Sequence, residues 1–458
     1  MKTKALILAA GQGTRMQSNK SKVLHKVFDK TLVEYPILAA KYVGVEEICV
    51  IVGHRAEEVQ KALGDTVHYA LQQEQLGTGH AVIQAIDFIE DTGEVLILYG
   101  DTPLITGVTL EKMLSFHREN KNAATVLSAF IENPTGYGRI VRSEEHTFTK
   151  IVEQKDATED EKKIKEINGG MYVFEAGLLK YALSQLKNDN VQKEYYLTDT
   201  LEILLAEGHK VDAIATADAD DILGVNSREQ LSEVADLMKK RINSQHMAAG
   251  VTLIDPQSTY IGPEVKIGKD TVIEPGCMIE GNTTIGENCT IGYHSKIKNT
   301  TIGNFVDIEI SVIMDSSIGD ATHVGPFAYL RPHSHIGKNI KVGDFVEIKN
   351  SHIGDGTKIS HLTYIGDADV GQNVNFGCGT VVVNYDGQTK HRTTIGNDAF
   401  IGCNTNLVAP VIVEDGAYTA AGSTITKTVP KNSLAIARAK QENKEEWVTK
   451  KRSKEAEK

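Results

Sequence analysis

The amino-acid sequence predicts a chain in two parts: an α/β domain with a mostly parallel sheet, joined by one helix to a parallel β-helix. The first half alternates short apolar runs with mixed-polarity segments, and the second half repeats an aliphatic residue every six positions. A stretch with helical spacing lies between them. At 458 residues the chain is also too long for one ordinary hydrophobic core.

In residues 1–226, short apolar runs predict strands, and the segments between them predict helices. Strands separated by helices favour a mostly parallel sheet with helices on both faces. Ligands of such sheets bind at the carboxyl ends of the strands. The predicted strands are 5–9, 48–52, 95–98 and 124–130, and the helical segments include 57–63 and 78–86.

Residues 227–250 predict a single linker helix. Ser227 and Gln230 have the spacing of a capping box, and Gly250 is a natural stop. Apolar residues of the segment recur on one helical face, which indicates that the helix packs along one side. They are Leu231, Val234, Ala235, Met238 and Ile242.

Residues 251–458 form the second part, which consists of a repeated six-residue unit followed by a C-terminal tail from Lys440. The repeat is typical of a parallel β-helix, in which three units make one triangular coil. A small residue such as Cys277 or Thr405 stands four positions after many of the aliphatic anchors. The period slips by one residue in places, and it does not fix the hand of the β-helix. The anchors are Ile261, Ile267, Ile273, Ile279, Ile285, Ile291, Ile297, Ile318, Val324, Leu330, Ile336, Val342, Ile348, Ile395, Ile401, Leu407 and Val413.

Composition narrows the classes of partner. The 49 basic and 61 acidic residues give a formal charge of −12, which argues against nucleic acid or an anionic membrane as a main partner. The sequence shows no signal peptide and no apolar run long enough to insert into a membrane. Five cysteines without a CxxC pair fit a reducing compartment, so we expect a cytoplasmic protein.

A glycine-rich loop with the sequence Gly-Gln-Gly-Thr-Arg, ending at Arg15, directly follows the first predicted strand. Backbone N–H groups of such a loop can surround phosphate oxygens. Met16 replaces the third glycine of a dinucleotide fingerprint, and no Walker lysine follows. A plain tight turn would explain the glycines alone, but Arg15 and Lys22 add the positive charge that a triphosphate requires.

This loop and Lys22 resemble the sugar-1-phosphate nucleotidyltransferases, as do the Tyr99-Gly100-Asp101 segment and later motifs. The resemblance implies that Lys22 and Arg15 are catalytic and that Asp101 and Asn226 bind Mg²⁺. It implies a sugar-phosphate pocket with Gly138, Glu153, Asn168 and Asn226. It also implies a nucleotide site with Leu8, Ala9, Ala10, Gly11, Lys22, Gln72, Gly77 and Thr78. Asp101 as a turn residue and Asn226 as a helix cap are the alternatives.

In the second half, Arg331 and Lys349 each follow an anchor and are one coil apart, so we expect them to stack on one face. Two cations so close are either solvated or bind an anion. His361 lies near a corner, and by itself it is more typical of a surface histidine. Residues 381–392 interrupt the period with an Asn384-Tyr385 excursion, and such loops usually carry function.

Front and back together resemble the bifunctional N-acetylglucosamine-1-phosphate uridylyltransferase/glucosamine-1-phosphate acetyltransferase family over essentially the whole chain. The resemblance implies a Rossmann-like domain, a long helix, a left-handed parallel β-helix and a homotrimer with acetyltransferase sites between subunits. The substrates would be UTP, N-acetylglucosamine-1-phosphate, glucosamine-1-phosphate and acetyl-CoA. The product would be UDP-N-acetylglucosamine for peptidoglycan precursors. The alternative is a monofunctional nucleotidyltransferase whose β-helix only regulates or oligomerises.

The same resemblance implies residue roles in the β-helix. His361 would be the general base, a role that an imidazole suits near neutral pH. Cys403 stands where many family members have serine, so we expect altered contacts with acetyl-CoA and not lost activity. Arg331, Lys349, Tyr364 and Asn375 would bind the amino-sugar phosphate. Asn384, Tyr385, Lys390, Cys403, Ala421 and Arg438 would bind acetyl-CoA.

Overall fold

The computed structural model describes residues 2–456. The chain folds into two compact units, with the boundary between Met238 and Lys239. Among the described residues, no helix has both the length and the apolar composition needed to cross a membrane.

The first unit is built on one mixed sheet. Its strands are β1 Thr3–Ala9, β2 Ile48–Val52, β3 His68–Leu71, β4 Glu94–Tyr99, β5 Ala124–Phe130, β6 Arg139–Arg142, β7 Phe148–Val152, β8 Glu166–Glu175 and β9 Val211–Ala215. The main order is β9-β5-β8-β4-β1-β2-β3, and β6 joins β8 to β7. Neighbours along this main order are parallel except that β8 runs antiparallel to both β4 and β5. A short ribbon pairs Lys26–Val27 with Lys30–Thr31.

Helices cover both faces of this sheet. The α-helices of the chain are α1 Glu34–Tyr42, α2 Ala56–Leu63, α3 Thr78–Ile83, α4 Gly107–Asn120, α5 Ala176–Ser184, α6 Asp199–Ala206, α7 Arg228–Ala248 and, in the second unit, α8 Trp447–Ala456. Short 3-10 turns span Thr14–Met16, Lys22–Leu24, Gly64–Thr66, Ile86–Phe88, Glu161–Lys163 and Ala219–Ile222. Successive residues of β1, such as Leu6 and Ile7, point to opposite faces of the sheet and belong to different core clusters. Both faces are therefore buried, as expected of a mostly parallel sheet.

The predicted architecture of this unit, a mostly parallel sheet with helices on both faces, is confirmed. All four predicted strands are present, and five further strands of the sheet, among them the antiparallel strand β8, were not predicted. Two glycines, Gly169 and Gly170, interrupt the apolar pattern of β8, and the pairing with β5 shifts register between Asn168 and Met171. Glycines inside a strand weaken the pattern by which strands are recognised and often mark such an irregularity.

Helix α7 begins with the predicted cap. The backbone N–H of Gln230 donates to Ser227 Oγ at 3.2 Å. The side chain of Gln230 accepts from the N–H of Asn226 at 2.8 Å, one residue earlier than in a standard capping box. The helix ends at Ala248, before Gly250 with its φ of 94°. Because the boundary between the compact units falls inside α7, each unit contains part of it.

The second unit is a three-sided parallel β-helix, whose sheets we name faces A, B and C. Face A contains Thr252–Leu253, Val272–Ile273, Thr290–Ile291, Asp307–Ile308, His323–Val324, Lys341–Asp344, Lys358–His361, Asn375–Phe376, Phe400–Ile401, Tyr418–Thr419 and Leu434–Ala435. Face B contains Tyr260–Ile261, Met278–Glu280, Lys296–Lys298, Val312–Met314, Tyr329–Leu330, Glu347–Lys349, Tyr364–Gly366, Val381–Val383, Asn406–Val408 and Thr424–Ile425. Face C contains Lys266–Ile267, Thr284–Ile285, Thr301–Ile302, Ser317–Ile318, His335–Ile336, His352–Ile353, Ala368–Val370, Thr393–Ile395 and Val411–Val413.

The predicted anchors form the core of the β-helix. Ile261 pairs with Ile279 and Leu330 with Ile348, so each anchor stacks on the anchor of the next coil. Every predicted anchor is buried except Ile267, which is partly exposed. Where the period slips, as between Ile285 and Ile302, a shorter coil keeps the ladder in register. The six-residue period therefore predicts this unit correctly.

Candidate active sites

A cleft of about 460 Å³ opens at the carboxyl ends of β1 and β4. This volume is in the range of small-molecule sites. All eight residues of the expected nucleotide site line it, namely Leu8, Ala9, Ala10, Gly11, Lys22, Gln72, Gly77 and Thr78. The cleft lies where an open α/β sheet binds ligands.

The glycine-rich loop positions Lys22. Gly13 has a φ of 62°, and a Cβ there would lie 2.6 Å from the Cβ of Lys22, so only glycine lets Lys22 approach this closely. The Lys22 ammonium donates to Asp101 Oδ2 at 2.5 Å and to Asn226 Oδ1 at 3.0 Å. One cation thus gathers the two side chains that are expected to bind metal, although they lie far apart in the sequence.

The donor set of Asp101 and Asn226 fits Mg²⁺. One carboxylate oxygen and one amide oxygen converge on a single positive charge, here that of Lys22. Mg²⁺ typically binds one or two protein oxygens together with phosphates and waters. The arrangement therefore meets the chemical requirement for a metal beside a triphosphate.

Gln72 is held in a fixed orientation at the floor of the nucleotide cleft. It is buried, and its amide nitrogen donates to the carbonyl of Gly77 at 3.1 Å and lies 3.1 Å from His80 Nδ1. The side-chain carbonyl of Gln72 is therefore the group that can accept a hydrogen bond from a base. Thr78 is also fixed, because its hydroxyl accepts from the backbone N–H of Leu197 at 3.0 Å.

A second cleft of about 380 Å³ adjoins the first and is lined by the four residues of the expected sugar-phosphate pocket, Gly138, Glu153, Asn168 and Asn226. Asn168 is fixed by hydrogen bonds to the Tyr172 hydroxyl and from the Gly170 N–H. Burial, helped by the nearby Asp156, raises the pKa of Glu153 above its ordinary value. Arg15 lines this second cleft, whereas Lys22 lines the nucleotide cleft.

The two clefts share Tyr99, Asp101 and Asn226. A nucleotide in one and a sugar phosphate in the other would therefore meet beside Asp101 and Asn226. This is the geometry that a transfer between two phosphorylated substrates requires, because such catalysis consists of placement and charge neutralisation.

In the β-helix, face B carries a group of cations. The ladder pairs Leu330 with Ile348, which places Arg331 beside Lys349 in the next coil. Arg331 pairs with Glu347 Oε1 at 2.8 Å, and Lys349 lies 3.6 Å from Asp367 Oδ2. The nearby Lys390 ammonium lowers the pKa of Lys349, and burial of Lys349 lowers this pKa further. Two neighbouring ammonium groups are an arrangement that an anion would stabilise.

Asp367 is the hub of this group, and sequence reasoning did not single it out. Its two oxygens accept from the side-chain amides of Asn350 and Asn384, both at 2.5 Å. Burial opposes ionisation, but these hydrogen bonds and the nearby lysines hold the pKa of Asp367 below its ordinary value. The only sequence signal was its place at the end of the His361–Asp367 segment.

Tyr364 and Asn384 meet over Gly366. The amide of Asn384 lies 3.4 Å from the Tyr364 hydroxyl. A Cβ on Gly366 would lie 2.3 Å from that hydroxyl and 2.7 Å from the Asn384 amide. Gly366 is therefore required by this close contact. The excursion that follows is a folded loop, in which Tyr385 bridges to Lys390 and Asp386 accepts from three neighbours.

His361 lies at the corner between faces A and B, and it has a carboxylate partner. Its Nδ1 is 2.6 Å from Asp344 Oδ1 in the preceding coil. The hydrogen bond from His361 lowers the pKa of Asp344. The carboxylate fixes the imidazole and leaves Nε2 for a substrate, as in hydrolytic triads. Asp344 was not predicted from the sequence, because the coil that separates it from His361 has 17 residues and not 18.

The remaining expected residues lie on other parts of the β-helix. Cys403 and Ala421 follow face A strands at the same corner as His361, and Arg438 packs beside Gly422. Asn375 lies on face A. One chain thus gathers Arg331, Lys349, Tyr364, Asn384 and Lys390 on and beside face B, while it places Asn375, His361, Cys403 and Ala421 on face A and its corner.

Comparisons with known proteins agree with both halves. Residues 4–234 match the nucleotidyl transferase family, and residues 264–299 and 392–427 match the bacterial transferase hexapeptide family of six repeats. Together the clefts and the repeats define a two-part transferase, with a nucleotidyltransferase domain in front of a left-handed β-helix of hexapeptide repeats.

Three relatives match nearly the whole chain, each described as bifunctional protein GlmU. The protein from Alkaliphilus metalliredigens is 54% identical over 451 residues, which is 98% of this chain and 99% of that protein. The protein from Acetivibrio thermocellus is 55% identical over 98% of this chain and 97% of its own length. The protein from Clostridium botulinum strain 657 is 55% identical and covers 98% of both chains. The chain belongs to the bifunctional GlmU family.

Proposed function

We propose that the chain makes UDP-N-acetylglucosamine by two transfers. Glucosamine-1-phosphate is acetylated on the β-helix, and the uridylyl group is transferred in the two clefts of the first unit. The observation that supports this best is that the chain holds two separate sets of reactive groups. Two clefts meet at Asp101 and Asn226 in the first unit, and a carboxylate-bound His361 accompanies a cation group in the second. A regulatory or scaffolding β-helix has no use for the second set.

In the uridylyl transfer, a phosphate oxygen of N-acetylglucosamine-1-phosphate attacks the α-phosphorus of UTP. The bond to the β-phosphate breaks, and pyrophosphate leaves without a covalent enzyme intermediate. Lys22 and Arg15 approach the reacting groups from the two clefts and neutralise their charge. Asp101 and Asn226 would hold Mg²⁺, which when bound neutralises phosphate charge.

In the acetyl transfer, the 2-amine of glucosamine-1-phosphate attacks the thioester carbonyl of acetyl-CoA. His361 accepts the amine proton at Nε2, the carbon–sulfur bond breaks, and coenzyme A leaves. Asp344 holds the imidazole through Nδ1 and stabilises the imidazolium that forms. Arg331 and Lys349 would bind the sugar phosphate.

We infer that the acetyltransferase site is completed by a second copy in a homotrimer. The cation group lies on face B, whereas Asn375 lies on face A, and Cys403 and Ala421 lie at the corner. A convex surface of this kind encloses a ligand only when another wall faces it.

Among the described residues all five cysteines are free thiols, which supports the cytoplasm as the location.

Mass-spectrometric detection of the products tests this function. Full-length protein mixed with acetyl-CoA and glucosamine-1-phosphate should form N-acetylglucosamine-1-phosphate. Addition of UTP and Mg²⁺ should then form UDP-N-acetylglucosamine and pyrophosphate. Mass detection is preferable to a thiol dye, because the protein's own cysteines would react with the dye. No acetylated product from folded protein would leave the chain a monofunctional nucleotidyltransferase.

A further inference from the structure

Two cysteines lie one above the other at the corner between faces A and B. Phe376 pairs with Ile401 in the ladder of face A, so Cys378 and Cys403, two positions further on, are opposite each other. The alignment persists at the corner, because the N–H of Asn404 donates to the carbonyl of Cys378 at 2.8 Å. Neighbouring coils stack at roughly 4.8 Å. A disulfide requires a Cα separation of about 4.4–6.8 Å.

These two cysteines are also the accessible ones. Cys403 is exposed and Cys378 is partly exposed, whereas Cys49, Cys277 and Cys289 are buried. Burial raises the pKa of Cys49 and of Cys277 to about 11 and makes their thiolates scarce. Reactivity of a thiol depends on access and on the thiolate form, so the corner pair is the place where thiol chemistry would occur first.

The same corner column contains the proposed general base. Asp344 pairs with His361 in the ladder of face A. One coil further along face A, Phe376 pairs with Ile359, which places Cys378 opposite His361. The column therefore runs through Asp344, His361, Cys378 and Cys403, one residue per coil. A covalent bond between the two cysteines would form directly next to the catalytic imidazole.

We propose that Cys378 and Cys403 are a modification site, where a small-molecule disulfide such as oxidised glutathione installs a reversible intrachain disulfide that inhibits acetyl transfer. The thiolate of one cysteine attacks the glutathione disulfide, and one glutathione leaves. The second thiolate attacks the mixed disulfide, and the other glutathione leaves. The protein loses two thiol hydrogens, and one oxidised glutathione becomes two reduced molecules, so atoms and electrons balance. Formation of the disulfide is independent of the proposed function, whereas inhibition of acetyl transfer rests on it.

The first test is the mass of the full-length protein after incubation with oxidised glutathione. The wild-type protein should lose the mass of two hydrogen atoms, and unreduced peptide mapping should join the peptides that contain Cys378 and Cys403. Cys378→Ser and Cys403→Ser should each keep a glutathione adduct, because the second thiolate is missing. The matched control, Cys49→Ala, removes a buried thiol of the first unit and should still form the bond.

The second test compares both activities before and after oxidation, each normalised to the same untreated protein. Acetyl transfer should fall by about tenfold or more, since small displacements beside reacting atoms cost that much, and dithiothreitol should restore it. Uridylyl transfer should stay within about twofold, because the change is confined to the β-helix. A glutathione adduct that persists on the wild-type protein, or a bond between two chains on unreduced gels, would overturn the proposal. A mapped bond without loss of acetyl transfer would refute the inhibition alone.

Discussion

The two regions of the molecule build their sites in different ways. In the first unit, Lys22, Asp101 and Asn226 come from distant segments, and their side chains converge in one cleft system within one chain. In the β-helix, the reactive groups are stacked along ladders, as Asp344 is on His361 and Arg331 is beside Lys349. Loops above an open α/β sheet can surround a ligand. A three-sided prism has only flat faces and corners.

This difference teaches how a solenoid can become an enzyme. In a β-helix the same position of successive coils lies at a fixed spacing, so side chains of like or complementary charge come together along one edge of the prism. A single β-helix does not surround a substrate. We therefore expect uridylyl transfer to be complete within one chain and acetyl transfer to need two, and the following predictions test that contrast.

The largest expected effects separate the two regions. Asp101→Ala should lower uridylyl transfer by about 10²-fold or more, because it removes the only carboxylate of the expected metal set, and leave acetyl transfer unchanged. His361→Ala should lower acetyl transfer by about 10²- to 10⁴-fold, the usual contribution of a general base, and leave uridylyl transfer unchanged. Both activities are measured by product mass on the same preparations. Loss of both activities in either folded variant would contradict the two-site account.

Subunit mixing tests the contrast itself. His361→Ala and Lys349→Ala should each lose most of the acetyl transfer. If the proposed trimer builds each site from His361 of one copy and Lys349 of another, trimers that contain both variants should regain activity. In a mixed cyclic trimer one of the three sites has both residues intact, so about one third of wild-type activity is expected. The variants are co-expressed with different tags, and doubly tagged trimers are assayed.

A parallel mixture in the first unit is the control for subunit mixing. Asp101→Ala and Glu153→Ala lie in one cleft system of one chain, so their mixed trimers should show no regained uridylyl transfer. Regained uridylyl transfer, or no regained acetyl transfer, would remove the distinction between the two regions.

A smaller effect is expected at Asp344, which acts through His361. Asp344→Asn should lower kcat of acetyl transfer by about 10- to 100-fold, because the imidazole loses its fixed orientation, while KM for both substrates changes little. Asp344→Glu should recover part of kcat. Steady-state kinetics on full-length protein check this. A variant whose KM rises while kcat is kept would indicate a role in substrate binding.

Much of the architecture could be predicted from the sequence, because burial imposes visible periods. Anchors such as Ile279 and Leu330 repeat every six residues since one side chain per strand must enter the prism. The partners Asp344 and Asp367 could not be predicted, because their contacts depend on the register between coils of unequal length. Strand β8 was not predicted for a different reason, because the glycines in its middle interrupt the apolar pattern. Pairing across coils is a long-range property that local patterns do not record.

The smallest expected effect concerns charge. On the β-helix, partners hold the pKa values of Asp344 and Asp367 below their ordinary range, whereas a third, acidic cleft of the first unit does the reverse. In that cleft burial, with help from the neighbouring carboxylates, raises the pKa of Asp199 from 3.8 to about 6. The folded state therefore holds this proton more tightly than the unfolded chain, and stability is lost as pH rises from about 4 to 6.

Asp199→Asn should remove this loss. The variant should match the wild-type protein near pH 4 and be more stable above pH 7, by at most about 3 kcal/mol in the free energy of unfolding. Hydrogen–deuterium exchange of α6 and β7 measures the effect locally, which is necessary because the single tryptophan, Trp447, lies in the other unit. Asp65→Asn removes an exposed carboxyl and keeps Asp199, so this control variant should lose stability between about pH 4 and pH 7 as the wild-type protein does. An equal gain at both pH values would mean that packing and not ionisation limits the cleft. The carboxylates of the two regions would then no longer differ in the sign of their pH dependence.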